Sequence, residues 1–342
     1  MNNFIIKCLI NIKQRSKIAI IIKQLYLNKN KKNQSKISNK INKKMKSFIT
    51  LLLLALTVCN FINEREVQYL KENAPYEVYD VNENPFKDWT EDEIRGLFGV
   101  VLEDVNEEEK ENEVYVPSND LPESFDGREQ WPNCVQEIRD QQRCGSCWAF
   151  SALSSFAQRI CLSTGAKTKV VLSVQYLVSC DPNNFGCQGG YLDKTWAFYE
   201  DPGVCTESCF PYESGNGTTT KCSVPPCKDG SEWKIYKAKN SKGFSTVDAI
   251  KKEVYEHGYI QTGFTVYSDF MSYKGGIYEH KSGYVMGGHA VVIVGWGVEN
   301  GVHYWIAQNS WGKNWGENGF FRIKFGQCGF DSRGYAGLYA GN

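Results

Sequence analysis

The sequence predicts an α+β protein with a helix-rich first half, a strand-rich second half and a cleft between two lobes. Three observations predict it. In "CWAFSALSSFAQRIC", Phe150, Leu153, Phe156 and Ile160 recur at three- and four-residue steps, the spacing of a helix. "TVDAIKKEVYEHG" reads as one more helix, stopped at Gly258. Beyond it, "HAVVIVGWG", "HYWIAQNS" and "GFFRIKF" are short apolar runs separated by Gly and Asn, the pattern of strands.

The chain has 342 residues, enough for about two domains, and its 42% hydrophobic and 13% aromatic content permits a substantial core. A formal net charge of zero conceals an asymmetry. Residues 1–46 carry 13 Lys/Arg and no acid, residues 61–120 carry 18 Asp/Glu against 5 Lys/Arg, and from Leu121 onward there are 21 of each sign. The balanced part holds no basic patch with interleaved aromatics, so nucleic acid is not an expected partner.

Residues 1–44 are rich in Asn, Lys and Ile, without a globular pattern. Either translation starts at Met45, or these residues form an amphipathic targeting extension, against which their single arginine counts. Residues 45–59 open "MKSFITLLLLALTVCN", a basic start followed by a short apolar run and small residues. This is the pattern of a secretory signal peptide, too short to cross a bilayer and stay. No other stretch is apolar enough to span one, so no membrane span is expected in the mature form. Secretion makes disulfides the expectation. Thirteen cysteines less Cys8 and Cys59 leaves eleven, so five pairs and one free thiol is the simplest account.

Residues 60–120 are acidic and short of Gly. Within them "PFKDWTEDEIRGLFGVVLEDV" has an amphipathic helical pattern that begins at Thr90, an N-cap candidate. "NEEEKENE" then reads as a solvated linker. Composition shifts to Trp, Gly and Cys at Leu121, which sets the boundary of the main domain, 121–342. Residues 180–230 are loop-rich, with Cys, Gly and Pro throughout.

"QQRCGSCWAF" allows three chemistries: a redox dithiol, half of a zinc site, or a nucleophilic thiol beside a structural one. A redox dithiol calls for an apolar strand leading in, and "EIRDQQR" is not one. Zinc calls for a second Cys/His pair at ligand spacing, and "CQGGY" and "CTESC" have no histidine near them. The nucleophile reading fits better, because Cys147 opens a helix, where a thiolate is favoured. A thiolate needs a base or an imidazolium partner. Of four histidines, His289 in "MGGHAVVIVGWG" stands at the entry to a strand, after glycines that let a substrate approach. Asn309 in "QNSWG" can orient its imidazole, and Trp311 can shield that bond from water. His289 or Asn309 alone is more often structural; the combination with Cys147 is what carries the reading.

"CGSCWAF", "GGHA" and "NSWG", in that order, resemble the papain family of cysteine proteases, and "LPESFDGREQWPNC", "VYSDF", "GYVMGGHA" and "NGFFRI" resemble its cathepsin B branch. The likeness covers about Leu121 to Gly337. It implies a papain-like fold, with a helical left lobe, a β-barrel-like right lobe and the active site between them. It implies a cysteine endopeptidase made as a zymogen, with Cys147 as nucleophile, His289 as its imidazolium partner, Asn309 orienting His289, and Gln141 in the oxyanion hole. It implies substrate contacts from Gly189, Gly190, Tyr191, Leu192, Gly263, Gly288, Ala290, Trp311 and Arg333. Family matching pairs Cys134–Cys161, Cys144–Cys187, Cys180–Cys222 and Cys209–Cys227, and leaves Cys205 and Cys328 either both free or paired with each other.

The resemblance also makes 60–120 an inhibitory propeptide, the bland alternative being an acidic linker. Polypeptide substrates, the chain's own propeptide and cystatin-like inhibitors are the implied partners of a monomer. No metal or cofactor is implied. The implied location is the secretory pathway, ending in lysosome, vacuole or outside the cell. The stretch Cys209 to Cys227, which matches the histidine-bearing occluding loop of cathepsin B, is short and lacks His; internal cleavage without dipeptide trimming is therefore expected. It carries a glycosylation sequon at Asn216. At the base of the S2 pocket Arg333 stands where cathepsin B has a glutamate, and its head either faces the pocket or extends into water. Two other readings of the chain remain open, a non-catalytic binding protein on the same fold and a thiol–disulfide oxidoreductase.

Overall fold

The structure is a computed structural model and describes residues 61–102, 120–223 and 226–341. The chain divides into two units, Met1–Asn63 and Glu64–Asn342. The expected extension 1–44 and signal peptide 45–59 lie outside the described residues, as does the stretch "NEEEKENE".

The centre of the second unit is the helix Cys147–Ser163. Its expected apolar stripe is only part of what it buries. Trp148, Phe150, Phe156 and Ile160 are buried, but so are Ser151, Ser155, Gln158 and Arg159. Polar groups enclosed in this way need partners. Ser155 Oγ donates to Tyr259 O at 2.7 Å, and Arg159 donates to Tyr259 O at 2.6 Å and Gly258 O at 3.0 Å. Arg159 also pairs with Glu253 at 2.7 Å, which ties this helix to Val247–His257. That second helix starts at the N-cap Thr246 and ends at Gly258, whose φ of 101° suits glycine.

Among the described residues ten strands succeed one another along the chain: β1 Glu77–Val78, β2 Phe125–Asp126, β3 Ala238–Phe244, β4 Ile260–Tyr267, β5 Tyr273–Gly275, β6 Ile277–Tyr278, β7 Val285–Glu299, β8 Val302–Gln308, β9 Phe320–Lys324 and β10 Gly334–Tyr339. The three expected apolar runs are β7, β8 and β9. The main sheet has the order β3-β10-β4-β7-β8-β9-β6, with β2 paired to β7. Among the described residues its ends do not join, so the barrel-like lobe expected from the resemblance is an open sheet. From His289 to Gly297 β7 is buried continuously, because the sheet covers one side and the Cys147–Ser163 helix packs on it.

Two features differ from the expectation. The helical pattern that begins at Thr90 gives only Glu91–Arg95. Its start is as expected: Thr90 Oγ1 accepts from Glu93 N, and Glu93 answers to Thr90 N at 2.8 Å, a capping box. Beyond Arg95 the chain leaves the helix, and Leu97 and Val100 bury their side chains against the rest of the unit instead of on a helical face. The loop-rich stretch 180–230 also contains a helix, Leu192–Glu200, with Trp196, Phe198 and Tyr199 buried.

All four expected disulfides are present. Cys144 is bonded to Cys187, so the CxxC pair is no dithiol. Cys205 and Cys328 are buried and are not bonded to each other.

Candidate active site

Two elements supply the central residues. Cys147 is the first residue of its helix, and His289 lies in β7, where its register partner is Phe264 in β4. The imidazole is fully buried, and Nε2 lies 2.8 Å from Asn309 Oδ1. Nδ1 is enclosed without a hydrogen-bond partner, so it is the ring nitrogen left for a thiol. Trp311 stacks on the imidazole, with centroids 4.7 Å apart and planes 29° apart. The indole therefore covers one face of the ring, as "NSWG" implies.

Gln141 is fully buried beside them. Its Nε2 donates to Cys144 O at 2.9 Å and to Leu97 O at 2.9 Å. Its Oε1 accepts from Ser310 Oγ at 2.7 Å, and Ser310 N donates to Asn309 Oδ1 at 2.8 Å. Ser310 thus fixes two side-chain amides at once. It sits inside "NSWG", yet composition and spacing assign it nothing; only the folded backbone brings its two groups to both amides.

The segment after the Glu91–Arg95 helix runs through this site. Gly190 N donates to Gly99 O at 2.7 Å, Val100 N donates to Gly288 O at 3.0 Å, and Val101 N donates to Gly190 O at 3.2 Å. Gly99 is required here, since a Cβ would overlap the Gly145 carbonyl oxygen. A Cβ at Gly288 would likewise overlap Val100 O. Val100 and Leu102 lie against Gly263, whose neighbour on the other side is Leu192. Farther back, Phe98 and Phe86 meet the Trp311 ring edge-on at 6.2 and 5.4 Å.

Most residues expected to touch substrate therefore meet this segment: Gly189, Gly190, Gly263, Gly288 and Trp311 directly, and Leu192 as the wall behind Gly263. Ala290 reaches the site through its backbone N–H, which stabilises the Cys147 sulfur. Tyr191 faces Lys194, whose Nζ is 3.8 Å from the ring centre. Arg333 accepts from Gly263 N through its backbone oxygen at 3.4 Å. Its Nε and Nη1 are shut off from solvent, while the residue as a whole is partly exposed.

The electrostatics also depart from the expectation. Burial pushes the Cys147 thiol up to about 11, outweighing the backbone N–H groups of Ala290, Gly99 and Trp148, which favour the anion. Burial pushes the His289 imidazole down to about 4, against the bond to Asn309. A thiolate–imidazolium pair needs the opposite order. With the segment in place, burial disfavours the charged form of both groups.

The short loop closed by Cys209–Cys227 lies next to Gln141. Tyr212 OH donates to Gln141 O at 2.9 Å, and Gly215 O accepts from Arg143 N at 3.0 Å. Asn216 is exposed. Among the described residues no three His, Cys, Asp or Glu could hold a metal ion, and no helix is long and apolar enough to cross a membrane.

Comparison with known proteins agrees with this arrangement. The profile of the papain family cysteine protease matches residues 121–338. Cathepsin B-like CP2 of Giardia intestinalis is 42% identical over 232 residues, covering 66% of this chain and 77% of that protein. Cathepsin B-like cysteine proteinase 4 of Caenorhabditis elegans is 37% identical over 266 residues, covering 68% and 76%. Among solved structures, proCathepsin B S9 from Trypanosoma congolense superposes with a TM-score of 0.73 at 29% identity, covering 82% of this chain and all of that one. Procathepsin L2 from the Tenebrio molitor midgut, at 24% identity and a TM-score of 0.64, shares the fold. The chain belongs to the papain family of cysteine proteases and resembles its cathepsin B-like members.

Proposed function

We propose that this cysteine protease is an endopeptidase made as a zymogen, with residues 60–120 as its inhibitory propeptide. The observation that carries the reading is the path of Leu97 to Val100. It puts a carbonyl on the Gln141 amide and a glycine across Cys147, and burial beneath it disfavours the charged forms of both groups that catalysis needs. Removing the segment returns water to the site. Solvation and the helix N-terminus then favour the Cys147 thiolate, and His289 gains its proton.

The thiolate attacks the scissile carbonyl carbon. Negative charge moves to the carbonyl oxygen, held by Gln141 Nε2 and the Cys147 backbone N–H. His289 gives its proton to the leaving amine, while Asn309 and Trp311 keep the ring in place. Water, deprotonated by the now neutral His289, hydrolyses the thioester and frees Cys147. Cleavage is internal, because the Cys209–Cys227 loop is short and has no histidine to hold a substrate carboxylate. Asn216, exposed in that loop, is the proposed glycosylation site. The signal-like 45–59 places the enzyme in the secretory pathway, bound for lysosome, vacuole or export.

Acid-activated protein, compared with Cys147→Ala on a peptide library, tests the reading. Internal cleavage by the parent and none by the variant is expected, together with irreversible labelling of Cys147 by an epoxide inhibitor. Stepwise loss of carboxy-terminal dipeptides would refute the endopeptidase assignment. Activity that survives Cys147→Ala would refute the nucleophile.

A further inference from the structure

Arg143 lies two residues after Gln141 and four before Cys147, and its side chain is about half exposed, at 53%. Its backbone is fixed: Arg143 N donates to Gly215 O at 3.0 Å, and Gln142 before it has a φ of 55°. The guanidinium has two partners, and both belong to the segment that crosses the cleft. Nη2 lies 3.3 Å from Glu93 Oε1, and the head sits over the Trp89 ring at 5.1 Å. Among the described residues, Glu93 is the one carboxylate within 4 Å of Arg143.

The segment also marks the two sides of the scissile position. Val100 and Leu102 lie against Gly263 and Gly288, which the endopeptidase reading above assigns to the acyl side of the cleft. Gly99 crosses the thiol, and Leu97 meets the Gln141 amide. On the same reading, Glu93 and Trp89, which precede Leu97 in the chain, fall on the side where the leaving peptide departs. Both lie against Arg143.

We propose that Arg143 makes this enzyme select peptides with Glu or Asp among the first three positions on the leaving side; this rests on the endopeptidase reading above. Removal of the segment takes both partners from the guanidinium and leaves a cation one short reach from the oxyanion site. A substrate carboxylate placed there takes over the position of Glu93. Arg suits this role, because its planar fork offers several donors to one carboxylate.

The test uses activated enzyme and internally quenched peptides that differ only on the leaving side, with Glu, Gln or Lys. A substrate with an aminocoumarin leaving group, which has no residues there, reports proteolysis itself. At pH 6 and low salt, kcat/KM for Glu should exceed that for Gln by about two- to fivefold, the range of an exposed ion pair. The ratio should fall toward one at high salt. Arg143→Ala should abolish it, Arg143→Glu should invert the order of Glu and Lys, and Arg143→Lys should keep part of it. An active enzyme whose Glu to Gln ratio is one, or is unchanged in Arg143→Ala, overturns this inference alone. Failure to cleave the coumarin substrate overturns the endopeptidase reading and this inference with it.

Discussion

Gln141 Nε2 donates to the Leu97 carbonyl at 2.9 Å, from a side chain that is completely buried. A peptide oxygen thus already occupies the donor proposed for a tetrahedral oxyanion. The donor is rigid because Ser310 Oγ holds the other end of the same amide. Gln141→Ala should lower kcat by about 10²–10³-fold, the usual effect of losing one oxyanion donor, with a smaller change in KM. Covalent labelling of Cys147 and a melting curve on the same variant separate a lost donor from a misfolded site. A loss confined to KM would show that Gln141 only shapes the cleft.

Gly99 is the closest approach of the crossing segment to the protease floor, since any side chain there would run into the Gly145 carbonyl. Gly99→Val should force the segment off Cys147. Overpacking of this kind costs about 1–3 kcal/mol, so labelling of Cys147 in the unprocessed chain should rise by about 5- to 150-fold at pH 7. A Gly99→Val chain that labels as slowly as the parent would mean that the segment does not shield the thiol.

How much of this was legible in the sequence depended on whether local pattern or distant packing decided each element. The helix from Cys147 and the helix ending at Gly258 were legible, as were β7, β8 and β9, because their apolar patterns are clear and the second helix has an ordinary Thr246 cap and Gly258 stop. The strand β3 was not: "AKNSKGF" has no alternation and pairs only with β10 at the sheet's edge. The helix Leu192–Glu200 was hidden by Cys and Gly before it and by aromatic residues of modest helix propensity. Cys147, His289 and Asn309 were legible through their motifs. The path of Leu97 to Val100 was not, because apolar residues at helical spacing read as a helix until Gly190 and Gly288 offer backbone partners. Nor was the bias against the thiolate, which depends on what covers it.

Acid should release the segment, but by a small set of groups. Among the described residues, two of its carboxylates meet cations of the protease part: Glu93 pairs with Arg143 at 3.3 Å and Glu83 with Lys274 at 3.2 Å. The Thr90 backbone N–H holds the Glu93 carboxyl below the usual range, with further help from the Thr90 hydroxyl and Arg143. Of these only Arg143 lies outside the segment, so the part of the depression due to Arg143 stabilises the docked form above the free value of 4.5 and is lost as pH falls through the docked value. Self-processing should therefore accelerate below about pH 4.5, in the range of ordinary carboxyl titration. Glu83→Gln with Glu93→Gln should raise the rate at pH 7 and flatten the profile. A profile unchanged by both substitutions would assign the acid trigger to other carboxyls.

The pocket behind Gly263 should prefer an apolar P2 side chain. Val100 and Leu102 lie against Gly263, with Leu192 as its other neighbour. These are aliphatic groups packed together, and they support an aliphatic P2 occupant. Arg333 joins it through its backbone oxygen, bonded to Gly263 N at 3.4 Å, while Nε and Nη1 are enclosed in protein. If the Arg333 guanidinium borders this pocket, a second guanidinium brought in as P2 Arg is repelled by a like charge. Substrates that differ only at P2 should be cleaved with Leu or Val ahead of Arg by about tenfold or more, a difference of roughly 1.4 kcal/mol. Glu should gain little over Leu, because it must give up its water to enter a place lined by aliphatic groups. Arg333→Glu should reverse the first ranking and admit P2 Arg. If the parent enzyme prefers P2 Arg to Leu, or Arg333→Glu fails to admit it, Arg333 does not border this pocket.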